Sequence, residues 1–172
     1  AAIQIAKVMG ASLVIGTAGS VDKINRAAAL GLDIGVNYRE SDFVETVLDA
    51  TSGQGVDVIL DVIGADYWER NLRSLARQGR MILVGLMSGA SADANLGQFL
   101  AKRLQVRGTT LRSRPLEQKG QATRAFEKSV LPHLGSGRIK VVVDRVFPLQ
   151  AAAAAHARME ANANFGKIVL EP

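Results

Sequence analysis

Val56-Asp57-Val58-Ile59-Leu60-Asp61-Val62-Ile63-Gly64 and, one helix length further on, Arg80-Met81-Ile82-Leu83-Val84-Gly85 decide the fold. Each run is short, rich in aliphatic and β-branched side chains and closed by glycine. That is the pattern of a strand buried on both faces. Between them Trp68, Leu72 and Leu75 fall at helical spacing, which predicts a helix ending near Gly79. Strand, helix and strand at this separation make a parallel pair joined by a right-handed crossover.

The unit repeats outward in both directions. Toward the N-terminus, Ser12-Leu13-Val14-Ile15-Gly16 predicts a strand, and Ser20 to Leu30 a helix capped by Ser20 and stopped by Gly31. Ile34 to Tyr38 predicts a second strand. Residues 41–51 carry Phe43, Val44, Val47 and Leu48 on one helical face, with Ser41 and Asp42 as caps. Toward the C-terminus come a Gly/Ser/Ala-rich loop (88–94), a helix near 95–102 and a strand near 104–111. The alternation predicts an α/β fold, a doubly wound parallel sheet of Rossmann type with helices on both faces.

After residue 111 the alternation stops. One or two helices are expected over 117–137, broken near Pro132, then a strand at 141–147, an alanine-rich helix from Gln150 to Ala161 and a strand at 167–170. No further β-α unit stands out, so the two late strands are expected in another layer or domain. Residues 1–140 form the predicted nucleotide-binding domain and 141–172 a separate C-terminal segment. The chain opens on Ala1-Ala2-Ile3-Gln4-Ile5-Ala6-Lys7-Val8-Met9-Gly10, with Ile5, Val8 and Met9 at helical spacing. A start inside a helix is expected, as in part of a longer chain.

Composition narrows the classes. With 172 residues the chain is one domain in size, and 48% apolar and 22% charged residues exclude disorder. No stretch approaches the roughly 20 apolar residues of a membrane span, and no secretory signal pattern is visible. There is no cysteine, which fits an intracellular, reducing, cytoplasmic setting and removes cysteine nucleophiles and ligands. His133 and His156, the only histidines, are far apart, so a zinc site is not expected. A net charge of +5 favours anionic ligands such as nucleotides. The basic residues are scattered, aromatics are 5% and no nucleic-acid-reading motif accompanies them, so nucleic acid is disfavoured as a partner.

The chemistry is expected at the carboxyl ends of the strands, where open α/β sheets bind ligands. Gly16, Gly64 and Gly85 each close a predicted strand. One such glycine is explained by a turn; three at equivalent positions point to a shared ligand. Gly16-Thr17-Ala18-Gly19-Ser20-Val21-Asp22-Lys23 ends the second strand of a dinucleotide fold without the acidic residue that selects a free 2′-hydroxyl. Ser20 at a helix N-terminus and Lys23 one turn in point to a 2′-phosphate and so to NADP(H). An ordinary cap and a solvated lysine explain them equally, and Asp22 between them counts against the anion. Tyr38 lies beside an adenosine or is a half-exposed edge tyrosine. Asp61 is a turn or cap residue before it is a catalyst. Arg112, Ser113 and Arg114 face a coenzyme or form a solvated charge run. No G-x-G-x-x-G, P-loop or supported Ser-His-Asp arrangement is present.

The chain resembles the C-terminal part of the zinc-independent quinone oxidoreductases of the medium-chain dehydrogenase/reductase superfamily. The segments that carry the likeness are Ala1 to Lys7, Gly16 to Ser20 with Lys23, and Gly35-Val36-Asn37-Tyr38-Arg39. Further on they are Asp61 to Gly64 with Tyr67-Trp68-Glu69, Gly85 to Gly89, and Met159 to Asn162 through Gly166 to Leu170. The resemblance implies hydride transfer from NADPH to quinones or other activated carbonyl and alkene compounds. It implies that Ser20 and Lys23 hold the 2′-phosphate, that Tyr38 lies by the adenosine, and that Gly19, Gly64, Gly85 and Leu86 belong to the coenzyme site. Leu111 would lie near the nicotinamide, and Asn164 would reach the coenzyme from the far side. A homodimer through the strand near 104–111 is implied as well. An enoyl or alkenal reductase shares the scaffold, and so does a non-catalytic, crystallin-like NADPH- or RNA-binding protein. The family's first strand and glycine loop have no counterpart here. Loss of that central strand would leave its two neighbours without their shared partner, and the late strands would normally join the absent catalytic domain.

Overall fold

A computed structural model describes residues 1–172. Helix α1 (Ala2–Val8) leads into β1 (Ile15–Ala18), α2 (Val21–Ala28) and β2 (Ile34–Asn37). The two strands pair in parallel, Ile15 opposite Ile34 and Ala18 opposite Asn37. After α3 (Phe43–Ala50), strands β3 (Val56–Asp61), β4 (Leu75–Leu83) and β5 (Gln105–Gly108) form a second parallel sheet in that order. Helices α4 (Trp68–Ser74) and α5 (Leu96–Lys102) are its crossovers. No hydrogen bonds join β1 to β3, so the doubly wound order is present with a gap at its centre.

Side chains bridge that gap. Asp42 caps α3 by accepting from the Val44 N–H at 3.1 Å, which sets the helix so that Phe43, Val44 and Val47 turn inward. They bury with Val36 of β2, and Ile15 of β1, Val56 of β3 and Tyr67 pack on them. Leu72, Leu75 and Met81 form the other core cluster, against Ile59, Trp68, Phe99 and Val106. Each fully buried side chain of this kind contributes about 1.5–3 kcal/mol. Helices were expected on both faces of the sheet. On β3 one face is bare, with Val58 48% and Leu60 53% exposed.

Three boundaries differ from the sequence expectation. Strand β1 begins three residues later, so Gly16 lies inside it, opposite Gly35, and does not end it. A Cβ on Gly16 would stand 2.9 Å from Leu32 Cδ1, and one on Gly35 only 2.2 Å from Ile24 Cγ2. These glycines let α2 and its trailing loop lie close on the strands. Helix α4 ends at Ser74 and not near Gly79. Leu75 already pairs with Val56, the chain buckles through Gln78 (φ 62°), and pairing resumes at Val58–Arg80. Lys102 Nζ donates to the carbonyls of Leu72, Arg73 and Leu75 (3.2, 2.8 and 2.7 Å), satisfying a helix end the sequence pattern runs through. Strand β5 stops at Gly108, and the chain turns back through residues 110–114, where the Arg114 side chain bonds the Thr109 hydroxyl.

The last third contains a β-α-β unit whose strands and alanine-rich helix stand where the sequence predicts them, but whose parallel pairing the pattern does not disclose. Helices α6 (Leu116–Ser129) and α7 (Leu131–Gly135) break at Val130, with Pro132 in the first turn of α7. Strands β6 (Val143–Pro148) and β7 (Lys167–Glu171) pair in parallel around α8 (Ala152–Glu160). Alanine-rich α8 shows no apolar stripe and buries only Ala155, so no periodicity announces it as a packed crossover. Half-buried Asp144 on β6 accepts from Arg158 on α8 (2.6 and 3.2 Å) and from the Phe165 N–H (3.0 Å). The Arg158 guanidinium, with that N–H, holds the Asp144 carboxyl down at about 2. Buried Gln4 ties α1 to the segment before β6, donating to the Lys140 carbonyl (3.0 Å) and accepting from the Lys140 N–H (2.7 Å). No helix is long and apolar enough to cross a membrane.

Candidate functional site

Parallel pairing sets the carboxyl ends of β1 and β2 side by side and those of β3, β4 and β5 likewise, and eight of the nine sequence-predicted residues lie within five positions past one of these strand ends. At the end of β1, Ser20 takes extended backbone (φ −158°, ψ 150°), and its hydroxyl accepts from the Lys23 N–H at 3.4 Å, capping α2. Gly19 is needed for close approach: a Cβ there would stand 2.7 Å from the Tyr38 hydroxyl and 3.2 Å from Arg39 Nε. Gly19, Ser20, Tyr38 and the Arg39 side chain therefore meet at the top of β1 and β2. Asp22, which weighed against an anion in the sequence, is 77% exposed and turned to Arg26 Nη1 at 4.0 Å.

Lys23 is not the free, solvated side chain of the bland alternative. Its ammonium donates to the Asn162 carbonyl (2.6 Å) and to Asn162 Oδ1 (2.8 Å), just beyond α8. Arg26, one turn on, lies 4.5 Å over the Phe165 ring. The loop after α8 is thus docked on α2. Asn164 lies in this loop, but its side-chain amide donates to the Gly166 carbonyl at 3.2 Å.

At the end of β3, buried Asp61 accepts from the N–H groups of Ile63 (2.8 Å) and Gly64 (3.2 Å). This is a side-chain-stabilised turn, so Asp61 has the turn role and no free carboxylate. Gly64 (φ 89°) takes a conformation open to glycine, and a Cβ there would meet the Gly89 carbonyl at 2.7 Å and Leu86 Cα at 3.1 Å. A Cβ on Gly85 would meet the Val62 carbonyl at 2.8 Å. Gly64 and Leu86, with Trp68 and Leu83, line a shallow cavity of about 150 Å³. Tyr67 links the two halves of the edge. Its hydroxyl donates to Thr17 Oγ1 (3.4 Å), and its ring stands edge-on to Tyr38 at 6.4 Å. Leu111 is 57% exposed, in the turn past β5.

The edge is therefore polar and cationic over β1–β2, and apolar and glycine-lined over β3–β4. Glycines admit a backbone-hugging ligand at one end, and a hydroxyl, an ammonium and a guanidinium offer donors to an anion at the other. The residues present fit an extended nucleotide. Arg39, Tyr67 and Asn162 stand in segments that carry the resemblance, but the sequence assigns them no role at the site. Arg39 stands next to Tyr38 in a segment that already carries the resemblance, which is a usable signal. Asn162 reaches Lys23 from 139 positions away, and nothing local signals it.

A family model described as zinc-binding dehydrogenase matches residues 1–128. The chain belongs to the zinc-binding dehydrogenase family. Among its relatives is quinone oxidoreductase 1 of Escherichia coli (strain K12), 37% identical over 99% of this chain and 52% of its own length. Another is 2-haloacrylate reductase of a Burkholderia species, 33% identical over 97% of this chain and 50% of its own. Solved structures agree. An NAD-dependent alcohol dehydrogenase superposes with a TM-score of 0.84 at 38% identity, over 99% of this chain and 47% of that one. The Escherichia coli quinone oxidoreductase complexed with NADPH superposes with a TM-score of 0.82 at 36% identity, over 99% and 52%. The resemblance to the quinone oxidoreductases of the medium-chain superfamily therefore holds, and this is a family of oxidoreductases. The chain spans about half the length of the curated relatives it matches. In it no group of three or more His, Asp or Glu side chains is placed to hold a metal ion.

Proposed function

We propose that this chain is the coenzyme-binding part of an NADPH-dependent reductase acting on quinones or similar activated carbonyl or alkene compounds. One observation carries the coenzyme choice. The end of β1, Thr17 to Ser20, carries no acidic residue; the Arg39 side chain lies against Gly19, the Ser20 hydroxyl caps α2, and Lys23 follows in the first turn of that helix. An acid there selects the 2′-hydroxyl, and cations accept a 2′-phosphate. Asp22 is turned aside to Arg26.

In this proposal Ser20, Lys23 and Arg39 hold the 2′-phosphate, and Tyr38 lies along the adenosine. Gly19 keeps the approach open. Gly64, Gly85 and Leu86 let the remainder of the dinucleotide run close to the ends of β3 and β4, and Leu111 and Asn164 close on it from either side. When bound, the nicotinamide supplies the hydride. This chain's residues bind and orient; they supply no general acid or base. Residues 141–172 are proposed to return to the catalytic domain, and the open edge of β5 to pair across a homodimer. Metal independence and a cytoplasmic setting belong to the same proposal.

The relatives pull the coenzyme choice both ways, because one similar structure is of an NAD-dependent enzyme. Steady-state kinetics of the full-length protein with NADPH and with NADH, against a benzoquinone and a 2-haloacrylate, decide it. A preference for NADPH of about tenfold or more in kcat/KM is expected, the size of one charge-assisted contact. Equal use of NADH would sink the coenzyme assignment. Turnover of the haloacrylate alone would move the substrate class to activated alkenes.

A further inference from the structure

The cation in the first turn of α2 is held by a residue 139 positions further along the chain. Lys23 occupies the first turn of α2, next to the positive end of that helix's dipole, where a cation is disfavoured. It is nevertheless fastened there, by two bonds of 2.6 and 2.8 Å to the carbonyl and side-chain oxygens of Asn162. Asn162 sits just past the end of α8 at φ 50°, a left-handed conformation that asparagine tolerates better than most residues. Its N–H still bonds the Met159 carbonyl at 2.9 Å, closing the helix, while its own carbonyl is turned out to Lys23. The negative end of the α8 dipole therefore lies on the ammonium and offsets the unfavourable field of α2. The loop is itself anchored, by Phe165 donating its N–H to Asp144 and stacking under Arg26.

The chemistry of the clamp is the informative part. Elsewhere in the molecule Lys7 is held by a carboxylate, Asp33, at 2.6 Å, and its charge is spent in that pair. Lys23 is held by two neutral oxygens. They fix its position, leave the pair's net charge at +1, and leave one of three ammonium hydrogens free. That is what an anion site requires of a lysine: fixed before the anion arrives and not neutralised.

We propose that Asn162 is a positioning residue for the 2′-phosphate contact, presenting Lys23 preorganised and fully charged beside Ser20. In this way the loop after α8 sets the preference for the phosphorylated coenzyme. The proposal rests on the NADPH reading of the β1 end. The test measures binding rather than turnover. Isothermal titration of the full-length protein with 2′,5′-ADP and with 5′-AMP isolates the 2′-phosphate. Asn162→Asp keeps both oxygens and neutralises the ammonium; it is expected to weaken 2′,5′-ADP by about tenfold or more and 5′-AMP by less than about twofold. Asn162→Gly keeps the left-handed backbone and its carbonyl and removes Oδ1 alone. It is expected to weaken 2′,5′-ADP by roughly threefold, again sparing 5′-AMP. Lys23→Ala separates the two levels. If it collapses the 2′,5′-ADP to 5′-AMP ratio while neither Asn162 variant moves that ratio, the role of Asn162 is overturned and the NADPH reading stands. If Lys23→Ala leaves the ratio unchanged, the NADPH reading fails and the Asn162 proposal with it. Equal losses of both ligands in Asn162→Asp and Asn162→Gly also overturn the proposal, because they mark a structural role only.

Discussion

The two ends of the β1–α2–β2 unit treat charge in opposite ways. At the amino end, Asp33 receives both Lys7 (2.6 Å) and the Val14 N–H (2.7 Å), and those partners hold its carboxyl below the usual carboxylate range. At the carboxyl end, Lys23 rests on neutral oxygens, and Arg39 lies beside Gly19 with no carboxylate partner within salt-bridge distance. One end closes its charges into a local pair that fastens α1 to the loop before β2. The other keeps its charges available. Within one supersecondary unit, a binding edge and a structural edge differ less in how many charged residues they hold than in whether those charges are compensated.

The contrast is sharpest in paired substitutions. Lys23→Ala is expected to weaken NADPH binding by roughly tenfold to a hundredfold, as loss of a hydrogen bond to a charged group does, and to leave NADH within about twofold. Lys7→Ala is expected to leave both affinities unchanged; calorimetric titration of the two variants checks this. Gly35→Ala attacks the unit from its middle, where the new Cβ would stand 2.2 Å from Ile24 Cγ2. A stability loss of about 1–3 kcal/mol by urea denaturation is expected, the range for overpacking. A wild-type midpoint would show that α2 yields freely. Ser20→Ala removes the α2 cap and is expected to cost about 1 kcal/mol, with NADPH affinity falling more than NADH affinity; a purely structural cap would move both equally.

The smallest effect lies in the pH dependence. Asp144 is held at about 2, below its unfolded value of about 3.9. A depressed carboxylate stabilises the fold above its unfolded value, and that contribution is lost as pH falls through the folded one. Asp144→Asn should therefore lower the urea midpoint at pH 7, and the gap to wild type should narrow between about pH 4 and pH 2. A gap that stays constant with pH would mean that Asp144 contributes through shape alone.

What was legible in the sequence follows from how local each cause is. The α3 stripe and its Asp42 cap, the Ser20 cap and the strand runs at 56–61 and 80–83 are written in neighbouring residues, and they appear where expected. The α4 terminus was not legible, because a lysine 27 to 30 positions away caps it. The three elements of β6–α8–β7 were legible but their parallel pairing was not, because an alanine-rich helix held by one half-buried ion pair shows no amphipathic period. At the candidate site, the glycines and the Ser20–Lys23 pair stood out, since their meaning depends on strand ends. Gly16 does not end its strand as the pattern suggests, because the hydrogen-bonded strand opens only at Ile15, the last residue of the apolar run Leu13-Val14-Ile15. Asn162 had no local signal, since only folding brings it to Lys23.

Gly16 and Gly35 face one another in register and leave a hollow in the first sheet, into which α2 settles through Ile24 and its trailing loop through Leu32. Ile24 is the next residue after Lys23. Filling the hollow with a single methyl would lift the helix by roughly 1 Å to restore ordinary contact, and the ammonium would ride up with it. The hollow thus works as a height gauge for the cation. A carbon atom absent from the middle of the sheet belongs to the proposed anion site as much as the nitrogen present at its rim.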